Sequence, residues 1–547
     1  MATDITSMTS SGHRSRGNSV LIAIVSVVVL YLLSAAIWGH PQYATSLVVG
    51  AASNHSEHSE PSHEEGHDEA TAPPVWTVLP FVLLLGAIAV FPLLHATEHW
   101  WESNASRFKV AAGLALITLC YYAFIHDAAV ESHWPVHSSV APSESAIQTG
   151  FVGAMLGNAL LAEYIPFIVL LFSLYSIAGG IRIEGDLRAD PLTNAAFMGV
   201  GGLLASFVGT TGAAMLLIRP LLETNKERKH VSHTIVFFIF VVCNCGGCLL
   251  PIGDPPLFLG YLEGVSFFWT LTLWRSWLLV NGLLLLVYCL IDQLYFYRQE
   301  TIRDIKRDIS QTRKLKISGL ALNGPLLLGV VMAVALLDPR KAVPGTDWHA
   351  WMFLREVVQL ALVALSLHFG SKKIREANNF NFAAIVEVAA LFIGIFVCMQ
   401  PALQILTEQG DMLAKSLGPG GYFWATGALS SFLDNAPTYL VFFKTAQDPT
   451  MIHSVTAGVP EIILKAISLG AVFMGAMTYI GNGPNFMVKA IAEKSGVRMP
   501  SFFGYMGYSC LILLPIMLLN QWQNLSHVDG VPHETGNTQV AAPVEDH

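Results

Sequence analysis

Stretches of about 20 apolar residues recur along the whole chain, and each is long enough to cross a bilayer as a helix. Charged residues make up only 13% of the 547 residues, whereas a soluble domain has about 25%. The lipid bilayer is therefore the predicted solvent of this protein. Eleven stretches are predicted to span it: 19–38, 75–95, 108–125, 160–181, 231–250, 267–291, 317–337, 352–370, 383–406, 461–480 and 499–520.

The two ends of the chain carry segments outside the main membrane region. The first span follows two arginines, which predicts a cleaved signal peptide or a retained signal anchor within residues 1–40. Residues 41–74 form a predicted external linker rich in His and Glu, and residues 75–147 add further transmembrane helices. Residues 521–547 are polar and predict a disordered tail.

Lysine and arginine are distributed unequally between the two sides of the membrane. If residues 192–222 and 420–444 are re-entrant hairpins, the loops on the side of the N-terminus hold 21 Lys and Arg and those opposite hold three. The positive-inside rule makes the first side cytoplasmic. We therefore expect a multi-pass inner (cell) membrane protein with a cytoplasmic N-terminus, if the first span is retained, and an external C-terminus. The first hairpin enters from the cytoplasm and the second from outside.

The chain resembles itself at a shift of about 225 residues. Residues 206–219 align with 431–444, with Ser-Phe at the start and a cation at the end of both segments. Residues 247–258 align with 475–486, and both segments contain an Ile-Gly pair followed by Asp or Asn. Since the two hairpins enter from opposite sides, the two repeats are expected to have opposite topology, as in many secondary transporters.

The predicted fold is therefore an all-α polytopic membrane protein with two inverted-topology repeats, re-entrant helical hairpins and broken transmembrane helices. The first transporter repeat covers residues 148–293, and the second covers residues 317–520. Residues 294–316, which contain seven Lys and Arg, form the predicted cytoplasmic linker between them.

Each repeat has two interruptions rich in Gly and Pro at membrane depth, and such breaks are tolerated only where protein or a water-filled cavity surrounds them. Their Thr, Asn and Asp side chains offer oxygen atoms, which suit a hard cation. The predicted ion- or substrate-binding residues are Asp254, Asp434, Asn435, Thr210, Thr211, Thr438, Asn482, Asn485 and Thr478.

The two aspartates are the leading candidates, because an ionisable side chain within a membrane segment usually faces a cavity or a partner. The alternative for Asp254 and Asp434 is helix capping, which Ser, Thr or Asn would also provide. Glu163 and Glu387 are secondary candidates that match at a shift of 224 residues. Each is expected at the start of its apolar helix, where an interaction with the helix dipole is the alternative to function.

The sequence resembles the ion transporter superfamily over about residues 160–520. The resemblance rests on Ile-Gly-Asp-Pro-Pro at 252–256 and on Phe-Leu-Asp-Asn-Ala-Pro-Thr at 432–438, which are similar to signatures of NhaD-type sodium/proton antiporters and of citrate (CitMHS-like) permeases. It implies two hairpins entering from opposite sides, a central substrate site, a homodimer and an elevator-like motion. Leu257 departs from the family pattern, in which Asn follows Asp-Pro-Pro.

The predicted function is secondary active transport, with exchange of sodium or another monovalent cation for protons as the main reading. Antiport needs an acid that can exchange a proton for a metal ion. The acid in each repeat favours this function, because burial raises a carboxyl pKa toward the working pH. The alternative is a symporter of citrate or another di- or tricarboxylate. No nucleophile–base pair or phosphate-binding loop is evident, so an enzyme is not expected.

We expect the lipid bilayer, a small inorganic ion or carboxylate, and a second copy of the chain as partners, and no nucleic acid. The transported ions would be Na⁺ and H⁺. No cofactor is expected, nor a metal beyond the transported cation, because the cluster Cys243, Cys245 and Cys248 lacks a fourth donor nearby.

Overall fold

A computed structural model describes residues 5–57, 72–94, 96–101, 103–136, 138–406, 417–448 and 456–525. Most of the predicted His/Glu-rich linker and nearly all of the predicted C-terminal tail lie outside these residues. Helices dominate the described chain, and sheet is confined to two small antiparallel pairs. Many large apolar side chains point outward, including Leu192, Phe503 and Leu511. The protein is an all-α, polytopic integral membrane protein.

Six helices of the described chain are long and apolar enough to cross a membrane, and a bent pair over Ile385–Cys398 and Gln400–Leu406 adds a seventh. This number is lower than the eleven predicted spans because several apolar stretches contain breaks or shorter helices. The helix beginning at Ser232 ends at Val241, and the helix beginning at Glu461 ends at Met474. The six helices are Ser19–Trp38, Asn104–Phe124, Thr149–Ala178, Pro191–Val208, Phe267–Gln299 and Phe502–Asn524.

The N-terminal region consists of helices and one β-pair. Strand Val130–Ser132 pairs antiparallel with Ser138–Val140. The α-helices are Ile5–Leu33, His40–Glu57, Leu79–Val90, Glu98–Trp101 and Asn104–Phe124, with a π-helix at Ser34–Trp38 and 3-10 turns at Val75–Val78 and Phe91–Leu93.

The first half of the transporter region is repeatedly interrupted. Its α-helices are Thr149–Leu156, Ile165–Ala178, Pro191–Val208, Thr210–Thr224, Ser232–Val241, Pro255–Leu262 and Trp274–Ile291. Its π-helices are Gly157–Tyr164 and Asp292–Phe296, and its 3-10 helices are Cys245–Cys248, Pro251–Gly253, Phe267–Leu273 and Tyr297–Gln299.

The second half follows the same alternation of helices and breaks. Its α-helices are Leu320–Leu336, Leu354–Phe369, Lys372–Ala377, Ala383–Cys398, Gln400–Leu406, Pro419–Ser430, Asn435–Ala446, Glu461–Met474, Gly483–Lys494 and Phe502–Asn524, and Gly475–Met477 is a 3-10 turn.

The connection between the halves is folded onto the first half. Helix Ile302–Gln311 is followed by strand Arg313–Ser318, which pairs antiparallel with strand Arg182–Asp186. Arg182 lies opposite Ser318, and the register is irregular between Glu184 and Asp186. The sequence analysis did not predict this sheet.

The basic loops that were assigned to one side of the membrane contact one another. Ser232 donates to the carbonyl of Arg498, and Arg375 donates to the carbonyl of Ser176 near the loop at 179–182. Arg340, in a loop predicted for the other side of the membrane, donates to the carbonyl of Leu262. These contacts thus join loops that the positive-inside rule assigns to the same side.

Candidate functional site

The first hairpin consists of arms Pro191–Val208 and Thr210–Thr224, which meet at Gly209. Gly209 has φ +79°, a left-handed conformation that glycine adopts without a steric penalty. The arms lie side by side, because a Cβ on Gly201 would stand 2.7 Å from a methyl group of Leu217. The break places Thr210 at the tip, where it is buried.

The second hairpin consists of arms Pro419–Ser430 and Asn435–Ala446, joined by residues 431–434. The rings of Tyr422 and Phe442, one from each arm, have centroids 6.4 Å apart. This side-by-side packing carries Asn435 to the hairpin tip, where it is 1% exposed.

The two tips meet at Asp254, which lies in the break before helix Pro255–Leu262. Asp254 Oδ1 accepts hydrogen bonds from the Thr210 hydroxyl at 3.0 Å and from Asn482 Nδ2 at 3.2 Å. Asp254 Oδ2 accepts from Asn435 Nδ2 at 2.7 Å. One carboxylate thus joins both hairpin tips to the broken helix of the second half, and it is 1% exposed.

A layer of amides continues from Asp254 into the protein. Asn482 Nδ2 also lies 3.2 Å from Asn244 Oδ1, and Asn244 Nδ2 donates to Asn485 Oδ1 at 2.8 Å. Asn485 in turn donates to the carbonyls of Gly475 and Thr478. These contacts hold the amides rigidly around the break.

Asp254 and Asp434 differ in what their carboxylates bind. Asp434 caps the second arm, because its Oδ1 accepts from the backbone N–H of Ala436 at 3.1 Å. Asp254 precedes a helix but makes no capping bond; its partners are side chains. Helix capping therefore accounts for the observed contact of Asp434, but it does not account for the carboxylate of Asp254.

Three other predicted residues lie beside this cluster. Thr438 is buried and donates to the carbonyl of Asp434 at 3.0 Å, and buried Thr478 donates to the carbonyl of Ser431. Thr211 is half-buried, and none of the hydrogen bonds to Asp254 within the described chain comes from it.

The secondary candidates are not among the hydrogen-bond partners of Asp254 in the described chain, and their surroundings differ from each other. Glu163 is buried within the π-helix Gly157–Tyr164, inside the long span Thr149–Ala178. The expectation that it starts its helix is wrong, because the apolar sequence upstream continues the helix to Thr149. Glu387 is half-exposed and forms an ion pair with Arg107 at 2.8 Å.

Sequence reasoning missed Asn244, which binds both Asn482 and Asn485. Asn244 lies between Cys243 and Cys245 in a largely apolar stretch, of which only the cysteines were weighed as possible ligands. Sequence reasoning also missed Glu263, an acid that forms an ion pair with Lys444 of the second hairpin. A long-range pair of this kind has no signature in local sequence.

The charge at the centre of the cluster has no protein cation beside it. Among the ion pairs of the described residues, none includes Asp254. Its direct partners are one hydroxyl and two amides, all neutral. A buried carboxylate in such surroundings is costly unless it is protonated or holds a cation.

The sequence comparisons identify one family. The family model CitMHS_2, described as putative citrate transport, matches residues 70–525 and confirms the resemblance to ion- and citrate-transporter proteins. The description supports transport as the general function, and it favours the carboxylate alternative over cation/proton antiport. No curated protein matches the sequence significantly.

Proposed function

We propose that this chain, which belongs to the family described as putative citrate transport, is a secondary active transporter with its cargo site around Asp254. The observation that carries the proposal is the position of Asp254, which accepts hydrogen bonds from both hairpin tips and from Asn482. A binding event at this carboxylate acts on all three elements together.

The geometry favours exchange of a monovalent cation, such as Na⁺, for a proton. Neutral donors surround Asp254, so its charge is balanced either by a proton or by a bound cation. Each can displace the other at one carboxylate, which is the requirement for antiport. Asp434 directly precedes Asn435, which binds Asp254, and a second carboxylate near the site favours the arrival of a positive species.

Citrate transport is the second candidate, and the family description favours it directly. The amides of Asn435, Asn482 and Asn244 and the hydroxyl of Thr210 are groups that can bind carboxylates. A citrate anion would be repelled by an ionised Asp254. This function therefore requires that a proton or a cation enters with the citrate, which is symport.

Equivalent contacts in the two halves support an inverted repeat. A Cβ on Gly253 would stand 2.2 Å from the carbonyl oxygen of Gly247, and one on Gly481 would stand 2.7 Å from that of Gly475. Both glycines thus pack against the glycine six residues earlier. We infer that each half forms one hairpin and one broken helix, with opposite orientation in the membrane, and that alternating access moves these elements around a central site.

The test uses the purified full-length chain in proteoliposomes. Release of protons from acidified vesicles on addition of Na⁺ supports antiport, whereas accumulation of labelled citrate under an imposed proton or Na⁺ gradient supports symport. Asp254→Asn should abolish whichever activity the wild type has. Asp190→Asn is the matched control, because Asp190 caps the N-terminus of the first hairpin arm, at the end away from the tip, and Asn caps equally well. Failure of the wild type in both assays, or normal transport by Asp254→Asn, would contradict the proposal.

A further inference from the structure

Three carboxylates converge on the face formed by the basic loops, away from Asp254. Asp186 ends strand Arg182–Asp186, Glu227 follows the second arm of the first hairpin, and Asp308 lies on helix Ile302–Gln311. One oxygen of each carboxylate lies within 4.8 Å of the other two. Elements that are distant in sequence thus bring three like charges together.

The three carboxylates are largely buried, and some of their oxygens have no hydrogen-bond partner within the described chain. Asp186 is 1% exposed and Asp308 is 6% exposed. Asp186 Oδ1, Glu227 Oε2 and Asp308 Oδ1 are buried oxygens without a hydrogen-bond partner among the described residues. An unsatisfied buried polar atom costs about 1–3 kcal/mol, and more when it is charged. Three such atoms, one on each of the clustered carboxylates, indicate a missing positive ligand.

The neighbouring cations do not balance this charge. Lys226 lies 2.9 Å from Asp186 and 3.8 Å from Glu227, but it also binds Glu223 at 2.8 Å. Two arginines are also near: Arg228 is held by Asp292 and Glu300, and Arg188 pairs with Asp190 at 3.4 Å.

Three carboxylates thus share one lysine that also binds a fourth, so the cluster is short of positive charge even with Lys226 present.

We propose that Asp186, Glu227 and Asp308 form a binding site for a hard divalent cation, with Ca²⁺ as the best fit. Oxygen atoms on opposite sides of Ca²⁺ are about 4.6–5.2 Å apart, because each Ca–O distance is about 2.3–2.6 Å. The three oxygens lie within 4.8 Å of one another and so fit within this span. Three carboxylates suit Ca²⁺ better than Mg²⁺, which usually takes one or two and keeps its waters.

A cavity lies beside two of the three carboxylates, Glu227 and Asp308. Its volume of about 10 Å³ is close to the space that one water molecule needs. This site departs from the sequence expectation that no metal binds apart from the transported cation. It also lies outside the cargo site, so it stands independently of the proposed transport function.

The position of the site implies regulation of the first hairpin. Asp186 lies five residues before the first arm begins at Pro191, and Glu227 lies three residues after the second arm ends at Thr224. Asp308 belongs to the connection between the halves. A bound ion therefore ties both ends of the hairpin to the connecting helix and restrains hairpin movement.

The test measures ion binding directly. The full-length protein in detergent is stripped with a chelator, and Ca²⁺ or Mg²⁺ is titrated by calorimetry with thermal unfolding in parallel. We expect one Ca²⁺ per chain and a higher melting temperature in Ca²⁺. Asp308→Asn should weaken Ca²⁺ binding by about tenfold or more, since it removes a charged ligand. Glu184→Gln is the matched control, because Glu184 is an exposed acid on the same strand as Asp186.

Two outcomes would overturn the proposal: no saturable binding of either ion by the wild type, or equal Ca²⁺ affinity in Asp308→Asn and Glu184→Gln. Tighter binding of Mg²⁺ than of Ca²⁺ would overturn the preference for Ca²⁺. If Asp308→Asn does not fold, Glu227→Gln provides the same comparison from another element.

Discussion

Replacement of Asp254 by Asn separates the chemical role of this residue from its structural role. Asn fills the same volume and keeps one acceptor oxygen, which can bind the Thr210 hydroxyl as Asp254 Oδ1 does at 3.0 Å. The new amide NH₂ would face Asn435 Nδ2, which now donates at 2.7 Å. Rotation of the Asn435 amide by 180° would present its oxygen and restore this hydrogen bond.

The expected stability cost is therefore small. At most one neutral hydrogen bond is lost, which is worth about 0.5–1.5 kcal/mol, and removal of a buried charge offsets part of this loss. The melting temperature should stay within a few degrees of the wild type. Transport should fall below about 1% of the wild-type rate, because the variant has no group that exchanges a proton for a cation.

The assay combines thermal unfolding of the purified protein with Na⁺-dependent proton efflux and citrate uptake in proteoliposomes. A variant that folds normally and transports at more than half the wild-type rate would refute the reasoning. Asn435→Ala is informative beside it, because it removes a donor to Asp254 while keeping the charge. It should retain partial activity with altered cation affinity.

Further predictions follow from particular contacts. Asp434→Ala should lower stability by about 1 kcal/mol, while Asp434→Asn should not, because Asn preserves the cap on Ala436; chemical unfolding of both variants measures this. Lys444→Met should destabilise the protein by about 1–3 kcal/mol, because it leaves the partly buried carboxylate of Glu263 without its ion-pair partner; the added change Glu263→Gln should recover most of the loss, and an unrecovered double mutant would argue against the pair. Single cysteines at Glu184 and Thr346, in a background without the native cysteines, should react with an impermeant reagent from opposite sides; reaction from the same side would contradict the assignment of faces.

Much of the site was predictable because its residues interrupt apolar sequence. Asp254, Asn435, Asn482 and Thr210 lie within two residues of Gly or Pro in segments of membrane length, and the structure brings these four together. The interruptions also explain why the described chain has fewer helices of spanning length than the apolar stretches suggest. A window of 20 residues counts apolar content and does not detect the break after Val241.

Contacts between distant loops were not predictable in the same way. Strand Arg182–Asp186 forms only by pairing with Arg313–Ser318, which lies across the connection between the halves. Both segments read as polar loops on their own. The carboxylate cluster on this face, and the ion pair of Glu263 with Lys444, likewise depend on tertiary packing that one sequence does not encode locally.

The alignment of the two halves bears on how many cations one transport cycle moves. Thr210 aligns with Asn435 at a shift of 225 residues, and Asp254 aligns with Asn482 at 228. The four side chains form one cluster, in which Asp254 is the only ionisable group and accepts from the other three. Asp434 precedes Asn435 in the chain, but its Oδ1 accepts a hydrogen bond from the backbone N–H of Ala436. A site with one such acid exchanges one cation for one proton. The dependence of transport rate on Na⁺ concentration should therefore have a Hill coefficient near 1.

Changing Asn482 to Asp would place a second acid opposite the first. This change should raise the Hill coefficient toward 2, or block turnover by holding the cation too tightly. An unchanged rate and coefficient in Asn482→Asp would show that cation exchange does not take place at this cluster.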